Sequence, residues 1–140
     1  MKFVTFAFAA AMAATPAMSA EIVVQMLNRG EAGAMVFEPS LIVAEVGDTV
    51  RFVPTDRGHN AETIDGFLPD GVAPVIGAMN AEMVIEVTSE GLYGIRCKPH
   101  YGMGMVALIV AGDDVDAAIP ESVSAPRKAK EAFEAMLAGL

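Results

Sequence analysis

The chain has 140 residues, 54% of them hydrophobic, and a formal net charge of −9 at pH 7. This length suits a single domain with a hydrophobic core of its own. Because acidic residues outnumber basic ones, the chain would repel polyanions, which argues against nucleic acid and anionic membrane surfaces as partners.

Residues 1–20 have the layout of a secretory signal peptide. Lys2 provides a positive charge, an apolar run covers residues 3–14, and small residues end the segment at Ala20. This pattern predicts export with cleavage after Ala20. Because the apolar run is shorter than the ~20 residues of a membrane-spanning helix, we expect a mature chain of residues 21–140 without a membrane anchor.

Short apolar or alternating runs between turn signals predict β-strands along the middle of the chain. EIVVQMLN from Glu21 reads as a first strand, and LIVAEVGDTVRFVPT as two strands joined by a turn at Gly47 and Asp48. AEMVIEVTSEGLYGIRC repeats that plan, and MVALIVAGD is a further strand that Gly112 ends. Residues 64–80 read as an irregular connection. The pattern predicts an all-β fold, an antiparallel sandwich or barrel. Of the two we expect a Greek-key β-sandwich of about eight strands.

The C-terminal segment SAPRKAKEAFEAMLAGL has helical rather than strand periodicity. Its apolar residues share one face of a helix: Ala129, Phe133, Met136, Leu137 and Leu140. Ser124 is a candidate N-cap, and Pro126 suits the first turn. A second, short helix is expected at residues 113–118. We therefore predict two C-terminal α-helices packed on the sandwich, with residues 21–140 forming one domain.

Cys97 is the only cysteine and lies in the sequence IRCKPHYGMGMVALIV. A single cysteine in an exported chain cannot form an internal disulfide, so Cys97 is an intermolecular partner, an inert buried thiol, a nucleophile or a metal ligand. His100 and Met105 follow it, and the intervening proline and glycines suit a bent loop between two strands. His59 lies far upstream at a strand-to-turn boundary, and a Greek-key fold can bring it to the same end of the sandwich.

Two imidazoles, a thiolate and a weakly bound thioether are the donors of electron-transfer copper sites, in which two His and one Cys form a trigonal plane below a distant Met. Two other classes stay open. A zinc hydrolase would use His59, Cys97 and His100 with water as the fourth ligand, although the loop lacks a carboxylate to act as general base. A copper carrier or storage protein would favour more open Met-rich and His-rich loops. A Cys–His nucleophile is a weaker alternative.

At these residues the chain resembles the small type I copper proteins of the cupredoxin family. The segments MLNRGEAGAMVFEPSLIVAEVGDTVRFVPTDRGHNAETI and GLYGIRCKPHYGMGMV carry the resemblance, which extends over essentially all of residues 21–140. It implies one copper ion per chain, held by the imidazoles of His59 and His100, the thiolate of Cys97 and the axial thioether of Met105.

The resemblance also implies roles for residues around the ligands. Asn60 would tie the two ligand loops together by hydrogen bonding, and Met35 would pack near the imidazole of His100. Pro99 would help to fix the ligand loop. Met103 would be a surface residue of that loop rather than a ligand.

In this family the exposed edge of the second imidazole is the electron port, within an apolar patch and a basic ring. Docking residues here would be Arg29, Arg57, Arg96, Lys98 and Met103. The resemblance implies a monomeric periplasmic electron carrier rather than an enzyme, passing electrons from a c-type cytochrome or a quinol-oxidising complex to the copper nitrite reductase of denitrification. The segment GVAPVIGAMNAEMV has no lysine, where such proteins commonly have several, which weakens the ring on one side.

Overall fold

A computed structural model describes residues 18–140, so the predicted signal peptide lies almost entirely outside the described residues. The strands are β1 (Glu21–Gly30), β2 (Gly33–Glu38), β3 (Leu41–Ala44), β4 (Thr49–Val53), β5 (Glu62–Thr63), β6 (Met83–Glu86), β7 (Gly91–Arg96) and β8 (Val106–Ala111), followed by the helix α1 (Arg127–Leu137). No helix within residues 18–140 has the length and apolar character needed to cross a membrane.

The strands form two four-stranded sheets. Sheet 1 has the order β2-β1-β4-β6, and sheet 2 has the order β3-β8-β7-β5. Strands β1 and β4 run parallel, as do β3 and β8, whereas the other neighbouring pairs are antiparallel. Consecutive strands such as β3 and β4 therefore lie in different sheets, and the chain crosses between the layers at its turns.

The alternation of apolar and polar residues explains the two layers. In β6 buried and exposed residues alternate, as expected for a strand with one face on a core and one in water. All six residues of β8 are buried, because α1 covers the outer face of sheet 2. One apolar cluster lies between the sheets, and a second lies between sheet 2 and α1, where the rings of Phe67 and Phe133 meet edge to face at 5.0 Å.

The predicted strands are present, with two additions. The four segments identified in the sequence contain β1, β3, β4, β6, β7 and β8, and residues 64–80 form an irregular connection. Strands β2 and β5 were not predicted. The turn at Gly47 and Asp48 joins β3 to β4 as expected, and the Asp48 carboxylate accepts a 2.9 Å hydrogen bond from the backbone N–H of Glu45.

The prediction of two C-terminal helices is wrong, because residues 18–140 contain α1 alone as an α-helix. Residues 113–118 are irregular. Pro120 disfavours helical geometry at Ile119, and the segment is too short to form a helix unaided; Val115 and Ile119 instead pack directly against the second apolar cluster. The capping role predicted for Ser124 is also wrong, since Pro126 immediately precedes α1 and no side chain caps it.

Candidate metal centre

The ligand loop joins β7 to β8 at one end of sheet 2. Its two ends are clamped by a 3.0 Å hydrogen bond from the Cys97 N–H to the Met105 carbonyl, and the Met105 N–H donates to the His100 carbonyl at 3.2 Å. A short 3-10 turn, Tyr101–Met103, closes the loop. Gly104 follows with φ of 90° and lies so close to the Lys128 carbonyl that a Cβ would approach it to 3.1 Å, so this position requires glycine.

His59 approaches this loop from the irregular segment after β4. Its side chain is fully buried, and its carbonyl accepts a 2.8 Å hydrogen bond from the Asn80 N–H. The backbone N–H of Gly58 donates to the Asn80 side chain at 2.6 Å. Neighbouring segments therefore hold His59 in place although it belongs to no strand.

Three donor atoms form a compact triangle. The Nδ1 atoms of His59 and His100 lie 3.1 Å apart, and the Cys97 Sγ lies 3.7 Å from the first and 3.5 Å from the second. A point equidistant from all three atoms is about 2 Å from each, close to ordinary metal–nitrogen and metal–thiolate bond lengths. The triangle is therefore the right size for a trigonal metal site.

A hydrogen bond on the far side of the His59 ring fixes its tautomer. Its Nε2 lies 2.8 Å from the side-chain oxygen of Asn28. Since that oxygen can only accept, Nε2 must carry the proton, and Nδ1 presents its lone pair to Cys97 and His100. Metal-ligating histidines commonly have such a partner on the other ring nitrogen.

Burial shifts the pKa values of Cys97 and His59 towards their uncharged forms. It raises the pKa of the Cys97 thiol, and the Glu62 carboxylate raises it further, against backbone hydrogen bonds that lower it. Burial and the neighbouring His100 lower the pKa of His59. His59 is therefore disposed to stay neutral, whereas a metal must displace a proton from Cys97.

The two methionines of the ligand loop point to different environments. Met105 is fully buried in the apolar cluster between the sheets, whereas Met103 is 51% exposed. Met105 is also joined to Cys97 by the backbone hydrogen bond that closes the loop. Met105 is thus the buried methionine of the loop, in the same apolar cluster as Cys97.

Asn60 connects the His59 segment to the ligand loop. Its side-chain oxygen accepts a 2.8 Å hydrogen bond from the backbone N–H of Lys98. Its side-chain nitrogen donates to the Gly77 carbonyl and to the Glu62 carboxylate, each at 3.1 Å. Asn60 therefore spans the gap between the loops that carry the donors.

The remaining predicted site residues differ in exposure. Arg29, Arg57, Lys98 and Pro99 are exposed. Arg96 is not a free surface cation, because it forms a 2.8 Å salt bridge with the buried carboxylate of Glu62. Met35 is partly buried and lines the same surface groove as Met103.

Sequence reasoning missed Asn28 and Glu62. Neither belongs to the motif around Cys97, and each reaches the site only through the packing of distant segments. Asn28 lies near the end of β1, 31 positions from His59, and Glu62 is 34 positions from Arg96. The sequence did contain a signal for Glu62. It is an acidic residue between residues that the fold buries, and a buried carboxylate requires a partner.

The family model for copper-binding proteins of the plastocyanin/azurin family matches residues 24–112. This match and the His59–Cys97–His100 cluster define a type I copper protein whose cofactor is one copper ion. Copper, rather than zinc, is therefore the metal of this site.

Similar proteins narrow the class. The chain is 48% identical over 128 residues to a pseudoazurin of Paracoccus pantotrophus, with 89% of this chain and 87% of the relative covered. It is 50% identical over 101 residues to a pseudoazurin of Methylorubrum extorquens, with 72% and 68% covered. The solved structure of pseudoazurin from Methylobacterium extorquens AM1 has a TM-score of 0.79 and 43% identity, with 85% and 98% covered.

The chain belongs to the pseudoazurins within the plastocyanin/azurin family of copper-binding proteins. The resemblance that the sequence carries in its two quoted segments is thereby confirmed. The protein is a blue copper electron carrier, a member of a family of electron-transfer proteins.

Proposed function

We propose that this chain carries single electrons in the periplasm, from a c-type cytochrome or a quinol-oxidising complex to a copper nitrite reductase of denitrification. We propose His59, Cys97 and His100 as the trigonal copper ligands and Met105 as the axial one. The observation that carries the proposal is the triangle of donor atoms, with sides of 3.1, 3.5 and 3.7 Å, at an end of the sandwich where one donor ring reaches the surface.

The residues divide the work of electron transfer. When bound, copper supplies a centre that cycles between Cu(I) and Cu(II) without breaking any bond in a substrate. The clamped loop and the Asn60 bridge hold the donors in one arrangement for both oxidation states, which keeps reorganisation small. Buried Cys97 and Met105 exclude water from the site.

His100 is the proposed electron port. Among the three clustered donors, His59 and Cys97 are buried, whereas His100 is only partly buried. Its ring therefore offers the shortest protein route between the site and a docked partner. Met103, Ile76 and Met79 are exposed apolar side chains on the segments adjoining the site, and a partner would cover such surface on docking.

Charge around the port is proposed to steer partners with an acidic docking face. Arg29, Arg57 and Lys98 are exposed, whereas Arg96 is neutralised by Glu62. The contact would belong to the small, transient class of redox encounters, below about 1,200 Å². Its rate should fall with ionic strength, because exposed charges are screened over about 8 Å at physiological salt.

Residues 1–20 are proposed to be removed after export, leaving a monomeric single domain of residues 21–140. Edman or mass analysis of the secreted chain would test the cleavage site. A mature N-terminus at a position other than Glu21 would contradict it.

The site assignment is tested by the visible and EPR spectra of the copper-loaded chain. Cu(II) should give an intense thiolate-to-copper band with wild-type protein and none with Cys97→Ser, because only the Cys97 sulfur can supply that transition. Ser89→Ala is a control for substitution outside the loop and should retain the colour. A colourless wild-type product would overturn the assignment.

The partner assignment is tested by stopped-flow oxidation of the Cu(I) chain by copper nitrite reductase. Lys98→Gln should lower the second-order rate constant at low salt, and the loss should shrink at high salt. Lys130→Gln removes the same charge from an exposed position on α1 and should have a smaller effect. An observed oxidation rate that does not rise with nitrite reductase concentration, with rapid oxidation by another acceptor, would reject this partner.

A further inference from the structure

Next to the copper site, partly exposed Arg96 forms an ion pair with the buried carboxylate of Glu62, a pair that no feature of the ligand motif requires. Both the Nε and a terminal nitrogen of Arg96 donate to one oxygen of Glu62, each at 2.8 Å. Glu62 is only 4% exposed. Strands β5 and β7 place the two residues directly opposite each other, so the pair is fixed by strand register as well as by charge.

The second oxygen of Glu62 faces Asn60. It accepts a 3.1 Å hydrogen bond from the Asn60 side-chain nitrogen, and the Asn60 oxygen accepts from the Lys98 N–H at 2.8 Å. The hydrogen bonds therefore form one chain from Arg96 through Glu62 and Asn60 to the backbone that follows Cys97. The guanidinium also lies 5.2 Å from the ring centre of Tyr101, within the ligand loop.

The Glu62 carboxylate helps to impose a direction on this chain of hydrogen bonds. A carboxylate accepts hydrogen bonds and cannot donate them. The Asn60 amide must therefore turn its nitrogen towards Glu62, which leaves its oxygen for the Lys98 N–H. Gly77 reinforces the same orientation, since its carbonyl also accepts from the Asn60 nitrogen.

We infer that Glu62 is a positioning residue of the copper site: with Arg96, it sets the orientation of Asn60 and thereby fixes the backbone next to Cys97. The inference rests on the proposed ligands. It assigns Arg96 a structural role rather than the docking role that the sequence suggests. The Glu62 carboxylate also compensates the guanidinium charge of Arg96 beside the thiolate; loss of the carboxylate charge alone would leave a net positive charge there, which would favour Cu(I) over Cu(II).

Glu62→Gln is the sharpest test, because it changes one atom and almost no volume. If the oxygen of the new glutamine accepts from Arg96, the glutamine nitrogen faces the Asn60 nitrogen, and two donors oppose each other. If the glutamine amide is turned over instead, Arg96 loses its acceptor. Either arrangement breaks the chain. Glu131→Gln is the matched control, because it removes the same charge from an exposed pair with Arg127.

The readout is hydrogen exchange of the Lys98 amide, measured by NMR on the diamagnetic Cu(I) protein. Glu62→Gln should speed this exchange roughly tenfold, the effect of losing one protein hydrogen bond, whereas Glu131→Gln should leave it unchanged. The Cu(I)/Cu(II) equilibrium should also move towards Cu(I) in Glu62→Gln, further than in the control. Unchanged Lys98 exchange would overturn the inference.

Global destabilisation is separated from this local effect by the Ile95 and Leu108 amides of β7 and β8. If these two amides also exchange faster in Glu62→Gln, a double variant is needed. Glu62→Met with Arg96→Met replaces the ion pair by apolar side chains of similar length, a replacement that proteins often tolerate. Fast Lys98 exchange with slow Ile95 exchange supports the inference, and slow exchange at both sites overturns it. Loss of the blue band in wild-type protein would instead reject the proposed ligands.

Discussion

The two sheets differ in how many of their faces are covered. Sheet 1 has one face on the core and one in water, so Val23 and Val84 are 43% and 47% exposed on its strands. In sheet 2 the central strand β8 has an apolar cluster on each face and every residue of it is buried, although Val43 on the edge strand β3 is 70% exposed. The ligand loop joins β7 to β8 within sheet 2. The site is therefore attached to the most thoroughly packed part of the molecule.

The difference indicates how a geometrically strict site can lie at the surface. Cys97, His100 and the proposed ligand Met105 belong to the loop held by sheet 2, whereas His59 follows β4 of sheet 1 through an irregular segment. Hydrogen bonds to Asn28 and from Asn80 hold His59 where no strand does. Packing fixes one part of the site, and polar contacts fix the other.

The largest effect should come from uncovering sheet 2. Phe133→Ala removes a fully buried ring that packs on Phe67, and truncation of a buried aromatic costs about 3–5 kcal/mol. Val84→Ala on the outer face of sheet 1 should change the free energy of unfolding by no more than about 0.5 kcal/mol. Urea denaturation of both variants measures the difference. Equal losses would show that the sheets are covered alike.

Adding a methyl group to sheet 2 should have the next largest effect. A Cβ at Gly94 would clash with Cδ1 of the Phe67 ring and lie 2.6 Å from its Cγ, and overpacking of this kind costs about 1–3 kcal/mol. Gly102, in the ligand loop, has nothing within 4 Å of a Cβ, so Gly102→Ala is the matched control. Thermal unfolding that ranks Gly102→Ala as the more harmful change would contradict tight packing beneath the loop.

Substitutions of the two loop methionines should have the smallest effect on stability, although one of them should change the properties of the copper site. Met105→Leu conserves volume and should cost less than about 1.5 kcal/mol, yet it should alter the visible spectrum and the reduction potential by removing the axial sulfur. Met103→Leu changes an exposed side chain and should leave both nearly unchanged. The opposite result would exchange the roles of the two sulfurs.

Sequence patterns predicted most of the architecture because period-two alternation and long apolar runs both survive in the two sheets. They could not assign β3 and β4 to different sheets, since a turn at Gly47 and Asp48 looks the same between layers as within one. Strand β5 was missed because it has only two residues. Strand β2 was missed because its flanking glycines and the residues around Met35 obscure the alternation of apolar and polar residues. The prediction of a second helix was wrong because Val115 and Ile119, although spaced as on a helix, pack against the core from an irregular backbone.

Within the site, the sequence motif around Cys97 identified the candidate donors of the ligand loop, because these residues are close together in the chain. The partners of those donors are not local. Asn28 and Glu62 become relevant only when sheet pairing brings β1 and β5 to the ligand loops. The sequence also suggested that Arg96 is a free surface charge. The ion pair that it forms could not be predicted for the same reason, since its counterion Glu62 lies on another strand.

The parallel pairing of β3 with β8 has a consequence for how the chain reaches its native state. Leu41 pairs with Leu108, so sheet 2 is completed only when segments far apart in the chain have met. Folds dominated by such distant pairings form in milliseconds to seconds, far slower than helical bundles. The nitrogen of His59 and the sulfur of Cys97, 38 positions apart in the chain, also depend on distant segments meeting, and we expect the chain to finish folding before it holds its metal tightly.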